Sequence, residues 1–157
     1  MTLHLNNKVK LLLWIVLFEG VGFALSGITK ANIDNWYIYL DKSTLTPPGY
    51  MFAIVWPILY ACLAIIAWYL ADSNKYSPTI FRAFTLQMLM NWAWTPLFFG
   101  LHVMKFSALW LICLTLLNLI LAFIFFQHSK KMFLLLMPYI FWLTFASYLN
   151  IVIAFLN

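Results

Sequence analysis

The sequence predicts an all-α integral membrane protein, a bundle of five transmembrane helices. Of its 157 residues, 66% are hydrophobic and only 8% are charged, whereas soluble domains carry about a quarter charged residues. An aqueous fold cannot hide that much apolar surface. Five apolar runs approach the roughly 20 residues that cross a bilayer: Leu11–Ile28, Pro48–Ala71, Ile80–Leu101, Phe106–Gln127 and Met132–Leu156. The basic residues stand singly or in pairs at the ends of these runs. They form no stripe that would grip nucleic acid, despite a formal charge of +5.

The chain, 1–157, therefore reads as one membrane domain, with helices over residues 8–29, 47–71, 78–101, 105–128 and 131–156 and a lid loop over 30–46. Lys8, Lys10, Lys75, Arg82, Lys130 and Lys131 fall on the side of the N-terminus and Lys30, Lys42 and Lys105 on the other. The positive-inside rule then places the N-terminus in the cytoplasm. With no transit-like basic leader, the expected site is a bacterial inner membrane.

The first run has the look of a signal peptide, but Glu19 interrupts its apolar core, so a retained span is expected. An intramembrane carboxyl is costly and is a functional candidate by default; the plainer reading is a helix–helix hydrogen bond. Gly20, Gly22, Ala24, Ser26 and Gly27 suit close helix packing. In the loop, Trp36, Tyr37 and Tyr39 suggest a short amphipathic helix at headgroup depth. Thr46 reads as the N-cap of the second helix, with Pro47 and Pro48 fixing its entry.

In the second helix, Phe52, Trp56 and Tyr60 recur at intervals of four and share a face, and Pro57 frees the carbonyl of Ala53. In the third, Pro96 frees that of Trp92, and Gln87, Asn91, Trp94, Thr95 and Phe98 form a polar and aromatic face. The fifth has Pro138, which frees that of Leu134, beside Tyr139, Trp142, Ala146, Leu149 and Asn150. Aromatics at helical spacing are commonly packing alone. Kinks, amides and indoles coinciding in three helices favour a cavity for a flat, largely apolar ligand with polar edges. Gln87 and Asn91 should point inward. Cys62 and Cys113 lack pairing or histidine partners and read as small core residues, and no metal site is expected among His4, His102 and His128.

Trp36-Tyr37, L-x-K-x-x-x-T-P-P-G from Leu40 to Gly49, VWPILY from Val55 to Tyr60, NWAW-x-P-L-F-F-G from Asn91 to Gly100 and PYIFWLTFASYLN from Pro138 to Asn150 resemble the TspO/MBR family. The resemblance implies a five-helix bundle, expected to be a homodimer in the lipid bilayer, with a lidded cavity for tetrapyrroles such as protoporphyrin IX, haem-type compounds or benzodiazepine-like molecules. By matched position the cavity is lined by Trp36, Tyr37, Phe52, Trp56, Tyr60, Asn91, Trp94, Trp142, Ala146 and Leu149. Porphyrin is then a ligand, with no obligatory cofactor.

Trp56 and Trp142 match tryptophans implicated in light-dependent porphyrin breakdown in some relatives, so they are the candidate catalytic residues. No acid–base pair or nucleophile accompanies them, which makes sensing or transport the leading reading. Photo-oxidative degradation and a non-catalytic scaffold are the alternatives. The chain departs from the family pattern at Lys42–Leu45, where a proline and a tryptophan are missing, and at Trp110, where an acidic residue is common. The cholesterol-linked pattern after the fifth helix lacks its basic residue; residues 70–82 fit it only loosely.

Overall fold

The computed structural model describes residues 6–72 and 76–157; His4, Lys75 and part of the 70–82 stretch lie outside them. The chain forms five helices: α1 (Asn7–Ile33), α2 (Gly49–Asp72), α3 (Pro78–Thr95), α4 (Met104–His128) and α5 (Lys130–Leu156). There is no strand among the described residues. Four helices, α1, α2, α4 and α5, are long and apolar enough to cross a membrane. The fifth, α3, has 18 residues and carries Arg82, Gln87 and Asn91.

Local chemistry sets the helix ends. The Asn6 side chain accepts from the Lys8 amide, and Ser77 does the same for Thr79 ahead of Pro78, which satisfies donors that an α-helix leaves unpaired. Beyond residue 29, α1 continues by another turn to Ile33. No proline or glycine stops it there, and the amides of Asn32 and Asn35 donate back to the carbonyls of Ile28 and Ala31. At the other expected cap the structure differs: α2 begins at Gly49, because two prolines separate it from Thr46, whose hydroxyl is buried without a partner. Pro96 does not end its helix in a simple kink. Residues Pro96–Gly100 widen into a π-helical turn, closed by the Leu101 amide donating to Pro96 at 2.8 Å. Only Ser129 separates α4 from α5.

The helices close a ring in the order α1, α2, α5, α4, α3, with α2 also touching α3. Its core is built from Leu63, Ile66, Phe84, Leu114, Phe125 and Leu143. Phe23 and Phe155 point outward, 82% and 86% exposed, an arrangement that suits hydrocarbon. In lipid the helices gain little from hydrophobic burial and are held by packing and interhelical hydrogen bonds. The α4–α5 seam is the most intimate, and Thr115 and Ser147 meet across it at 3.2 Å.

By contrast, α1 buries only Phe18, whose ring sits edge-on to Trp14 and Trp92. Two of its glycines, Gly20 and Gly27, have no neighbour where a side chain would begin; the close approach is at Gly22 alone, against the Tyr60 ring. Glu19 is half-buried and makes no helix–helix hydrogen bond among the described residues. The thiol of Cys62 is half-buried, whereas Cys113 is exposed rather than in the core.

A Cβ at residue 22 would lie 2.4 Å from the Tyr60 ring, so Gly22→Ala should cost about 1–3 kcal/mol through overpacking. Thermal unfolding in detergent should show a lowered midpoint for Gly22→Ala and an unchanged or raised one for Gly20→Ala; equal midpoints would remove the close approach as a constraint.

Candidate ligand site beneath the lid

The aromatic candidates fall into two groups linked by Trp94. At the lid end, Trp36 and Tyr37 turn inward on a single 3-10 turn, Tyr37–Tyr39, rather than on an amphipathic helix. They pack on Phe98 and Phe99, with Trp36 to Phe98 at 5.3 Å and Tyr37 to Phe99 at 5.5 Å between ring centres. Only Tyr39 remains outward, 79% exposed. The widened turn at Pro96–Gly100 makes this possible, because it places two successive phenylalanines against the lid. Burial pushes the Tyr37 phenol above its ordinary pKa, so it stays neutral.

The second group lies between α2 and α5. Trp142 meets Phe52 at 5.4 Å and Trp56 at 6.5 Å, both edge to face, and Trp56 tilts against Tyr60. The Trp142 indole nitrogen is buried without a hydrogen-bond partner. Beside it a cleft of about 380 Å³, lined by Val55, Ile58, Leu59, Pro138, Phe141, Trp142 and Phe145, opens between the two helices. That volume is at the small end for a ligand pocket. Both kink prolines thus serve α2 and α5 differently: Pro138 faces the cleft, and Pro57 does not line it.

Trp94 links the groups, since it packs against both the main core and the lid cluster and stacks on Phe98 at 5.2 Å. Asn91 is buried with its amide nitrogen unpaired. Leu149 is buried and Ala146 half-buried against the core. Asn150, which the motif alone leaves without a role, accepts from the Trp94 indole at 3.0 Å and donates to the Met104 carbonyl at 3.3 Å, so one amide ties α3, α4 and α5 together. Trp110, where the resemblance leads to the expectation of an acid, makes a polar contact of its own: its indole donates to the Met90 carbonyl at 2.8 Å.

The lid itself is organised by residues that sequence patterns underrate. The Lys42 ammonium donates to the carbonyls of Tyr37, Ile38 and Leu40 at 2.8, 3.2 and 2.7 Å and lies 4.9 Å over the Tyr37 ring. One cation thereby gathers three carbonyls, of which the Tyr37 carbonyl also accepts from the Leu40 amide of the 3-10 turn. Its place in the L-x-K motif was the available signal. His102, at φ 55°, stacks on Trp36 at 4.0 Å and pairs with Asn32 at 3.1 Å; it braces the lid. No metal-binding group of His, Cys, Asp or Glu occurs among the described residues.

The far edge of the lid is latched to the end of α5. The Asp41 amide donates to Asn157 Oδ1, and Asn157 Nδ2 donates to the Asp41 carbonyl, both at 3.0 Å. Ser43 and Tyr148 hydroxyls meet at 2.9 Å.

Residues 14–156 match the TspO/MBR family. The chain is 33% identical over 152 residues to "Tryptophan-rich protein TspO" of Archaeoglobus fulgidus, covering 96% of this chain and 99% of that one. It is 31% identical over 133 residues to "Translocator protein" of Bos taurus, covering 82% and 79%. To "Tryptophan-rich sensory protein" of Cereibacter sphaeroides it is 30% identical over 117 residues, covering 74% and 73%.

Asn157→Ala removes both bonds to Asp41. Each is worth about 0.5–1.5 kcal/mol, so amide hydrogen exchange in residues 40–45 should accelerate roughly tenfold while α4 stays unchanged. Unaltered exchange in the loop would show that the latch does not hold it.

Proposed function

The chain belongs to the TspO/MBR family, and from that premise we propose that it is a membrane receptor that binds tetrapyrroles such as protoporphyrin IX and other flat hydrophobic molecules, in a sensing or transport role. The observation that carries this reading is Trp142, which lines an open cleft, meets Phe52 and Trp56 edge to face, and has its indole N–H without a partner. Ring faces take a planar macrocycle by stacking, and a buried unpaired donor favours a ligand that brings an acceptor. The cleft is narrower than a macrocycle requires, so binding includes lid movement and separation of α2 from α5. The sparse α2–α5 contact, compared with that between α4 and α5, supports this.

In this reading α3 and its π-helical continuation, residues 78–100, form the fifth span: 23 residues rising about 1.5 Å each reach about 34 Å. The N-terminus lies in the cytoplasm of a bacterial inner-membrane protein, and two copies pair. Because Trp56 and Trp142 are neighbours at 6.5 Å, light-driven oxidation of a bound porphyrin is the second reading.

Equilibrium dialysis of purified protein against protoporphyrin IX in the dark should give saturable binding, weakened about tenfold or more in the Trp56→Ala, Trp142→Ala double variant, which loses two ring contacts of about 0.5–1.5 kcal/mol each. Equal binding by that variant would sink the site. Illumination of Trp56→Phe, Trp142→Phe then separates the readings: product formation that vanishes with the indoles favours oxidation, and unchanged product formation leaves a receptor.

A further inference from the structure

Each helix places a polar side chain in one thin layer of the bundle: Glu19 from α1, Tyr60 from α2, Gln87 and Asn91 from α3, Asn118 from α4 and Tyr139 from α5. Counting about 1.5 Å per residue from the helix ends, all six lie about 14–20 Å from the end that carries the start of α1. That is the middle of a hydrocarbon core about 30 Å thick. Gln87, Asn118 and Tyr139 are fully buried and Asn91 nearly so.

The hydrogen bonds within this layer dictate what is missing from it. Asn118 Nδ2 donates to its own helix at the Leu114 carbonyl, at 2.9 Å, which fixes which end of that amide is nitrogen. The same nitrogen donates to Gln87 Oε1 at 3.3 Å, which in turn fixes Gln87. Neither amide can be reversed without setting donor against donor or acceptor against acceptor. Three buried atoms are then left over: the donors Gln87 Nε2 and Asn91 Nδ2, one helical turn apart on the same face, and the acceptor Asn118 Oδ1. The Tyr139 hydroxyl is unpaired as well.

We propose that Gln87, Asn91 and Asn118 form a binding site for an internal water molecule at the centre of the bundle. Water accepts two hydrogen bonds and donates two, so it takes both amide donors and gives one hydrogen to Asn118 Oδ1, with another free for a further acceptor. A cation is turned away by the two N–H groups, and an anion by the Asn118 oxygen. Buried waters characteristically make about three bonds to groups of this kind, and leaving such groups bare is costly. Asn91 is also among the residues matched to the ligand cavity, whereas Gln87 and Asn118 are not, so the test reads Gln87.

Glutamine occurs only at positions 87 and 127, and Gln127 is exposed at the end of α4. The full chain, labelled with side-chain ¹⁵N-glutamine and reconstituted in phosphatidylcholine bilayers without added ligand, therefore gives two amide signals, one of them a built-in reference. In water-edited solid-state NMR, the Gln87 amide should receive magnetisation from water, several-fold more slowly than Gln127. The Gln87 signal is identified by its loss in Gln87→Leu or, should that variant not fold, by bleaching of Gln127 with a surface-bound paramagnetic ion. No transfer to Gln87 overturns the proposal, because the site is then dry. Transfer as fast as to Gln127 also overturns it, because the layer is then open to bulk water.

Discussion

Hydrocarbon offers no hydrogen bonds, and the fold follows from that one constraint: every polar group inside the bilayer must find its partner within the protein. Helices satisfy their own backbones, so the informative places are those where a helix is interrupted or a polar side chain is buried. At Pro96 the chain answers with a wider turn, whose Leu101 amide returns to the Pro96 carbonyl. Asn150 joins three helices through one amide. At the lid, where no helix exists to pair the carbonyls, a single lysine gathers three of them. Among the polar groups that still lack partners are four side chains of the central layer, Gln87, Asn91, Asn118 and Tyr139, and the cleft indole of Trp142; the others are Thr46, Trp68 and Trp92.

The architecture was largely legible in the sequence, for a physical reason. Runs of about 20 apolar residues have few alternatives in a bilayer, and amides such as Gln87 and Asn91 have only one acceptable direction, inward. The aromatic pairs were legible too: Phe52, Trp56 and Trp142 do meet. Choices among equivalent residues were not. Gly20, Gly22 and Gly27 look alike in sequence, yet only Gly22 faces a neighbouring ring, because α1 turns the face that carries Phe18 and Gly22 toward α2 and α3, with Phe18 edge-on to Trp92. Thr46 has the chemistry of a cap, but two prolines stand between it and the start of α2. Lys42 reads as a surface charge until the turn it encloses is known. Trp110 reads as the loss of an acid until its indole is seen to reach Met90.

The candidate site divides along the same line. Of the residues chosen by matched position, Trp36 and Tyr37 join one aromatic group, Phe52, Trp56, Tyr60 and Trp142 form another, and Trp94 links the two. The lid group is already satisfied, with rings packed on rings and His102 stacked on Trp36. In the α2–α5 group, Trp142 borders open space and keeps an unpaired donor. Unsatisfied chemistry therefore lies at α2 and α5 rather than directly under the lid.

The latch between Asp41 and Asn157 has a consequence for how the protein is made. Asp41 follows α1 and Asn157 follows α5, so the two can meet only once α5 has been synthesised. The tightest helical pair, α4 and α5, likewise forms after the other three helices have been made. Before that, α1 can already pack on α2, but the loop between them has nothing on α5 to fasten to. Closure of the lid thus reports the arrival of α5: a chain stalled before it presents an open loop and an unformed α2–α5 cleft.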